Sequence, residues 1–437
     1  MEKNHKTNTE VYRPKLHFTA KKGWINDPNG LIYTDGIYHM FFQHDPTNIT
    51  PEHMHWGHAV STDMIHWQEK EIALYPDDRG SMWSGSAIVD KNNLLGKNTD
   101  ENAAVLLYYT TTKPFVQNIS YSTDGFKTIH HFEGNPVVEH IMGTNRDPKV
   151  VFCDELDCYV MILHLKGQIY ALLKSENLTD WSEFQRIENL DSECPDIFPV
   201  LLNNGTRKWV IMGAGDNYLV GDFVNGKFMP SQQKQPLHYG NVAYAGQSFS
   251  NLENGRIVRI VWNRNWNFDT KTFAGQMGIP MDLSLCMHNG KYYIGANPIN
   301  EIEKLYLKTD CCNNLFITPE SEFDYKLENL PYLIKIKTEM QKSGNVELGF
   351  FGVETFIDFD KQEIRIADLR APLSVTNENV DITLIIDRCS TEVFADGGKI
   401  YMSCLTDCNP DFPKLFIKSN SEIKIERLEL HSLDSVY

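Results

Sequence analysis

The sequence has no run of about 18 apolar residues that could cross a bilayer. Its opening carries no apolar stretch of the kind that marks a secretory signal. The expectation is a soluble chain that stays in the cytoplasm where it is made. Positive charge is scarce: 41 Lys and Arg stand against 58 Asp and Glu, a formal net charge of −17. That balance argues against nucleic acid and anionic membranes, which are bound mainly through clustered cations. A phosphorylated substrate would need a local cationic patch, whereas a neutral sugar meets no such penalty. A disulfide framework is missing too. The nine cysteines are an odd number, scattered without pattern, so at least one thiol cannot pair within the chain. A reducing cytosol fits best. Cys311-Cys312 and the Cys153/Cys158 pair lack a second Cys or His pair at zinc spacing, which points to buried free thiols rather than a metal.

Helical periodicity is almost absent as well, and strand signals take its place. Asp35-Gly36, Asn204-Gly205, Asn225-Gly226 and Asn289-Gly290 each stand between runs rich in β-branched or aromatic residues, the signature of tight hairpins. A faint repeat accompanies them. Ser61-Thr62-Asp63-Met64-Ile65-His66-Trp67 and Ser175-Glu176-Asn177-Leu178-Thr179-Asp180-Trp181 share Ser, then Asp or Asn, then Trp, and Ser122-Thr123-Asp124-Gly125 begins the same way. The spacing suits four-stranded propeller blades with long loops, about five of which fill residues 12–300. A short helical or linker segment is expected around Pro298–Leu305. Beyond it, short alternating runs and a hairpin about Asp396-Gly397-Gly398 predict a second, sandwich-like domain over 301–437. At 437 residues the chain is long enough for two or three domains. Only the polar opening, Met1 to about Glu10, is expected to be loosely ordered.

Three carboxylates stand out. Gly23-Trp24-Ile25-Asn26-Asp27-Pro28-Asn29-Gly30 sets an aromatic ring, an amide and a carboxylate side by side and closes on a turn signal. Taken alone, it reads equally well as a surface turn. Asp147, between Arg146 and Pro148, is expected to have a depressed pKa and to stay ionised, which suits holding sugar hydroxyls; a structural ion pair is the alternative. Glu193 in Glu193-Cys194-Pro195 is expected to be partly desolvated, its pKa raised toward that of a general acid. Asp191 and Asp196 compete with it for that role. An all-β scaffold with separate carboxylates and many aromatics is suited to glycoside hydrolysis.

Trp24–Gly30, Trp83-Ser84-Gly85-Ser86, Arg146-Asp147-Pro148 and Glu193-Cys194-Pro195, in this order, resemble the signature motifs of the glycoside hydrolase family 32 β-fructosidases. Met54-His55-Trp56-Gly57-His58-Ala59, Tyr244-Ala245-Gly246-Gln247 and Ile386–Phe394 extend the resemblance over essentially the whole chain. It implies an all-β fold, a five-bladed β-propeller followed by a C-terminal β-sandwich. It also implies Asp27 as the nucleophile of a covalent fructosyl-enzyme, Glu193 as acid/base and Asp147 as transition-state stabiliser. Asn26, Gln43, Trp56, Trp83, Ser84, Arg146, Tyr244 and Trp266 match positions expected to bind substrate, a small fructoside, with no metal or cofactor. The chain departs from the family's pattern at Pro51-Glu52, where a pocket-walling Trp-Gly is usual, at Asp45 in place of Asn, and at Met281-Asp282 in place of Arg-Glu. Sucrose, its 6-phosphate and short fructooligosaccharides all stay open as substrates, as do fructosyl transfer, a silent sugar-binding role and a homo-oligomer.

Overall fold

The computed structural model describes residues 10–202, 204–264, 268, 270–373 and 379–437. The first nine residues, expected to be loosely ordered, and Trp266 lie outside the described residues. The chain is all-β, and its helical segments among the described residues are three short 3-10 turns, Glu253–Gly255, Asn300–Leu305 and Asp396–Gly398. The second of these is the segment expected near Pro298.

Among the described residues the strands form seven sheets, antiparallel except for one short parallel pair, and the first five are built almost wholly from neighbours in sequence. The first five begin with Gly23–Thr34, Met82–Val89, Arg146–Cys153, Asp196–Leu201 and Ala243–Ser248. These first strands touch one another in chain order, and the fifth touches the first. A late two-residue strand, Phe273–Ala274, returns to lie parallel beside Gly23-Trp24 and completes the first sheet. From Tyr306 onward the strands make two six-stranded sheets, which enclose their own apolar core.

The hairpin signals are where the strands turn. Asp35 and Gly36 both have positive φ, 52° and 78°, joining Gly23–Thr34 to Ile37–Asp45 in the mirror-image turn that suits strand twist. The faint repeat has a physical basis. Ser61, Ser122 and Ser175 end the third strands of the first three sheets. Each hydroxyl donates to the Asp or Asn two residues on, at 3.1, 2.9 and 3.1 Å. In the two units that carry tryptophan, the indole N–H then donates back to the carbonyl of Met64 or Leu178.

The two halves share packing as well as polar contacts. The main apolar cluster runs from Leu16 and Phe18 through Ile260 and Met281 to Phe394 and Leu433. At its edge His17 is fully buried between two carboxylates, with Nδ1 2.9 Å from Asp387 Oδ2 and Nε2 3.2 Å from Glu392 Oε2. Asp387 also accepts the backbone N–H groups of Lys15 and Leu16. Burial works against the imidazolium, but the two hydrogen bonds and charges reverse that and push its pKa up to about 9. The departure at Met281-Asp282 is absorbed locally. Met281 is buried, and Asp282 pairs with Arg256, which also grips Glu301 on the 3-10 turn.

Candidate active site

Each of the first five sheets brings a polar side chain to the start of its first strand, and in four of them a β-bulge does the aiming. Along Gly23–Thr34, Ile25 pairs with His44 and Pro28 with Phe42, so Asn26 and Asp27 together face one residue. Similar irregularities leave Ser84 as an extra residue in the second sheet, Asp147 and Pro148 unpaired in the third, and Ala245 and Gly246 unpaired in the fifth. An extra residue bends a strand and turns its side chain out of the pleat. Proline cannot donate to a ladder, so Pro28 and Pro148 favour these interruptions. Asp147, Cys194 and Ala245 all have positive φ, 62°, 47° and 51°. Such strain at non-glycine residues clusters where a site over-determines the backbone.

Asp27 is half-buried and ringed by donors. Ser84 Oγ donates to its Oδ2 at 2.6 Å and Asn26 Nδ2 to its Oδ1 at 3.1 Å. Behind Ser84, Asn29, with its amide set so that both ends are satisfied, donates to the serine at 3.3 Å and accepts from Gln43 Nε2 at 2.9 Å. Cys194 Sγ lies 3.2 Å from Asp27 Oδ2 and 3.5 Å from Asp147 Oδ2, so one thiol faces both carboxylates. Burial and the neighbouring carboxylates hold that thiol protonated, a donor rather than a nucleophile. The Cys194 N–H donates to Asp147 at 3.0 Å, and the Asp147 N–H donates to Thr110 Oγ1 at 3.1 Å. Arg146 bonds Glu193 directly and lies 3.5 Å from Asp147, with its guanidinium 5.7 Å from the Trp83 ring. Tyr244 donates to Glu193 Oε1 at 2.9 Å.

Two expectations about charge are overturned. Asp147 is pushed up to about 7, because burial outweighs Arg146 and the charges of Asp27 and Glu193 add to it. Glu193 is held below its ordinary value; burial raises it, but the Arg146 bond and charge and the Tyr244 bond more than reverse that. Asp27 is raised by burial and by Glu193, against the bonds from Ser84, Asn26 and Cys194. In sequence Arg146 stands beside Asp147, yet its shortest contact is to Glu193.

The remaining candidates separate. Trp56 is fully buried in an apolar cluster and donates to the Trp83 carbonyl at 3.0 Å, so it supports the pocket from behind and presents no ring to a sugar. Gln43 is likewise buried, donating to the Met82 carbonyl. Trp83 is half-buried against Phe115. Asp196 is buried, accepting from Ser248 and facing Lys149. Asp191 anchors its loop by accepting from Ser192 and Asn217. Neither competes with Glu193. Cys194 and Thr110 are the groups that motif reading passed over. The triple Thr110-Thr111-Thr112 at a strand end was the available signal for one, and Pro195 after the thiol for the other.

The family model for the N-terminal domain of glycosyl hydrolases family 32 matches residues 17–296. A levanase of Bacillus subtilis is 31% identical over 98% of this chain and 71% of its own length. The chain belongs to glycoside hydrolase family 32. Membership in family 32 makes it a β-fructofuranosidase-type glycosidase. An invertase of Schizosaccharomyces pombe is 34% identical over 62% of this chain, which spans only 53% of that protein. In fold, the chain resembles an exo-inulinase from Aspergillus awamori, with a TM-score of 0.87 and 24% identity over 98% of this chain and 99% of that one.

Proposed function

We propose that the chain is a retaining hydrolase that releases terminal β-fructofuranosyl units from sucrose and short fructooligosaccharides. Asp27 attacks the anomeric carbon, Glu193 protonates the leaving oxygen and then activates water, and Asp147 holds the fructosyl hydroxyls. The observation that carries this reading is the convergence of Asp27 and Asp147, from two separate sheets, on the Cys194 thiol next to Glu193 in the loop that leads into a third. In the free site the three carboxylates titrate as a set, with the proton favoured on the Asp27 and Asp147 side. The Glu193 side chain is 33% exposed. A bound sugar strips its water and drives its pKa up when the acid is needed.

The architecture that fits is a five-bladed β-propeller over 12–300 followed by a β-sandwich over 301–437. The cyclic contact of the five first strands and the returning strand Phe273–Ala274 support it. Nine free thiols fit a cytoplasmic setting. The relatives named levanase, invertase and exo-inulinase favour fructans and sucrose as the substrate class. Sucrose 6-phosphate fits less well, because Arg79, close before Trp83, is already paired with Asp77. Two measurements test the reading. Asp27→Ala should cost several orders of magnitude in kcat with the fold unchanged; near wild-type turnover would refute it. Comparing kcat/KM on sucrose, its 6-phosphate and fructooligosaccharides checks the substrate, and a preference for the phosphate would overturn that part.

A further inference from the structure

Glu193 stands at the end of a loop that is fastened from behind by residues that do not reach the sugar pocket. Asp191 is buried against Gly213 and Gly215, where a Cβ on either glycine would come within 2.4 and 3.0 Å of its side chain. Its carboxylate takes the Asn217 N–H and Nδ2–H at 3.0 and 3.1 Å and the Ser192 N–H at 2.7 Å. The Tyr170 hydroxyl closes on the Ser192 carbonyl. These contacts fix the backbone of Ser192 and leave its hydroxyl 2.8 Å from the Tyr244 hydroxyl. Tyr244 has one proton, and it points to Glu193 Oε1. With that proton committed, the Ser192 hydroxyl donates to the Tyr244 oxygen at 2.8 Å, the nearer of its two acceptors, Asp191 Oδ1 being 3.5 Å away.

We infer that Ser192 is a positioning residue for the acid/base: its hydroxyl donates to Tyr244, which donates to Glu193, and this two-bond relay orients and polarises the carboxyl. The inference rests on the reading of Glu193 as the acid/base. Donors in series strengthen one another, so the Tyr244 bond to Glu193 is stronger with Ser192 behind it than without. The other groups facing Glu193 are Arg146, His164, Asp27, Asp147 and Cys194, and Arg264 lies over the Tyr244 ring at 4.2 Å. None of them takes the place of the Ser192 proton at the Tyr244 oxygen.

The test is the rate of first-turnover leaving-group release at saturating substrate against pH, which reports the acid in the bound complex, for sucrose and for an aryl fructoside whose leaving group needs no protonation. Tyr244→Phe should move the alkaline limb for sucrose to higher pH by roughly one unit, the worth of a hydrogen bond to a charged group. Ser192→Ala should move it the same way by about half a unit or less. Ser192→Thr should restore it, and Ser192→Ala should add nothing in the Tyr244→Phe background. The aryl fructoside should be hydrolysed at close to the wild-type rate by Ser192→Ala. A limb that stays put in Ser192→Ala, a full second shift in the double variant, or an equal loss on both substrates overturns the relay. Glu193→Gln separates the two ideas. If it leaves the limb in place, the reading of Glu193 fails; if it removes the limb while Ser192→Ala has no effect, the relay alone fails.

Discussion

Ser84 shows how one side chain can matter to the chemistry without taking part in it. Its 2.6 Å bond to Asp27 Oδ2 holds the carboxylate in place and offsets part of the burial that raises its pKa. A hydrogen bond to a charged group is worth roughly 1.5–3 kcal/mol, so Ser84→Ala should cost about 10- to 100-fold in kcat/KM with little change in melting temperature. Asp147 gives a prediction of the opposite kind for stability. Its folded pKa is about 7, above the ordinary carboxylate value, so the folded state resists its ionisation and the wild type loses stability as pH rises from about 4 to 7. Asp147→Asn should therefore raise the urea midpoint at pH 8 while abolishing most activity; a lower midpoint would show that the buried charge is not the cost argued here. Asp27, Asp147 and Glu193 were legible as candidates from the Asp-Pro and Glu-Cys-Pro motifs, and Ser84 from Trp-Ser-Gly-Ser. Their protonation was not, because the guanidinium that lowers Glu193 comes from a different sheet and the carboxylates that raise Asp147 lie in two others.

At the scale of elements, the loop after Gln43 carries the departures that motif reading could only note. Asp45 is fully buried and accepts the N–H groups of Thr47, Asn48, Glu52 and His53 and the Thr47 hydroxyl at 2.7 Å. Burial disfavours its charge, but the bonds from His53, Thr47 and Glu52 hold the pKa well below the usual range. An aspartate here thus ties down a loop that has Pro51-Glu52 where a tryptophan is usual. Asp45→Ala leaves those amides without an acceptor and should speed hydrogen exchange over 47–53 and raise KM. Asp27 and Glu193 stay in place, so kcat should change only a few-fold. Unchanged exchange would remove Asp45 as the clamp. Hairpins and repeats were readable because each depends on two or three adjacent residues. The bulges that aim Asp27, Ser84 and Asp147 were not, since a bulge is a mismatch between two strands and only one is visible at a time.

Across the whole molecule, the late motif Ile386–Phe394 matched the family in sequence without revealing what it does. In the fold it supplies both partners of His17, some 370 residues away in the chain. A histidine with a raised folded pKa contributes stability in full below its unfolded value of about 6.5, and the contribution is lost as pH climbs through about 9. Its ceiling is on the order of 3 kcal/mol. Urea midpoints should therefore fall between pH 6.5 and 9 in the wild type, and His17→Gln should be destabilised and lack that slope; an equal slope in both would rule out His17 as its source. The central claim concerns Asp27, near the start of the first strand. Glu193→Ala should form a fructosyl-enzyme from a fructoside with a good leaving group and be slow to hydrolyse it, for want of a base. Acid-quenched and digested, that variant should carry one anhydrohexose on the peptide containing Asp27. An adduct on Asp147, or none under conditions where the leaving group is released in a stoichiometric burst, would contradict the account.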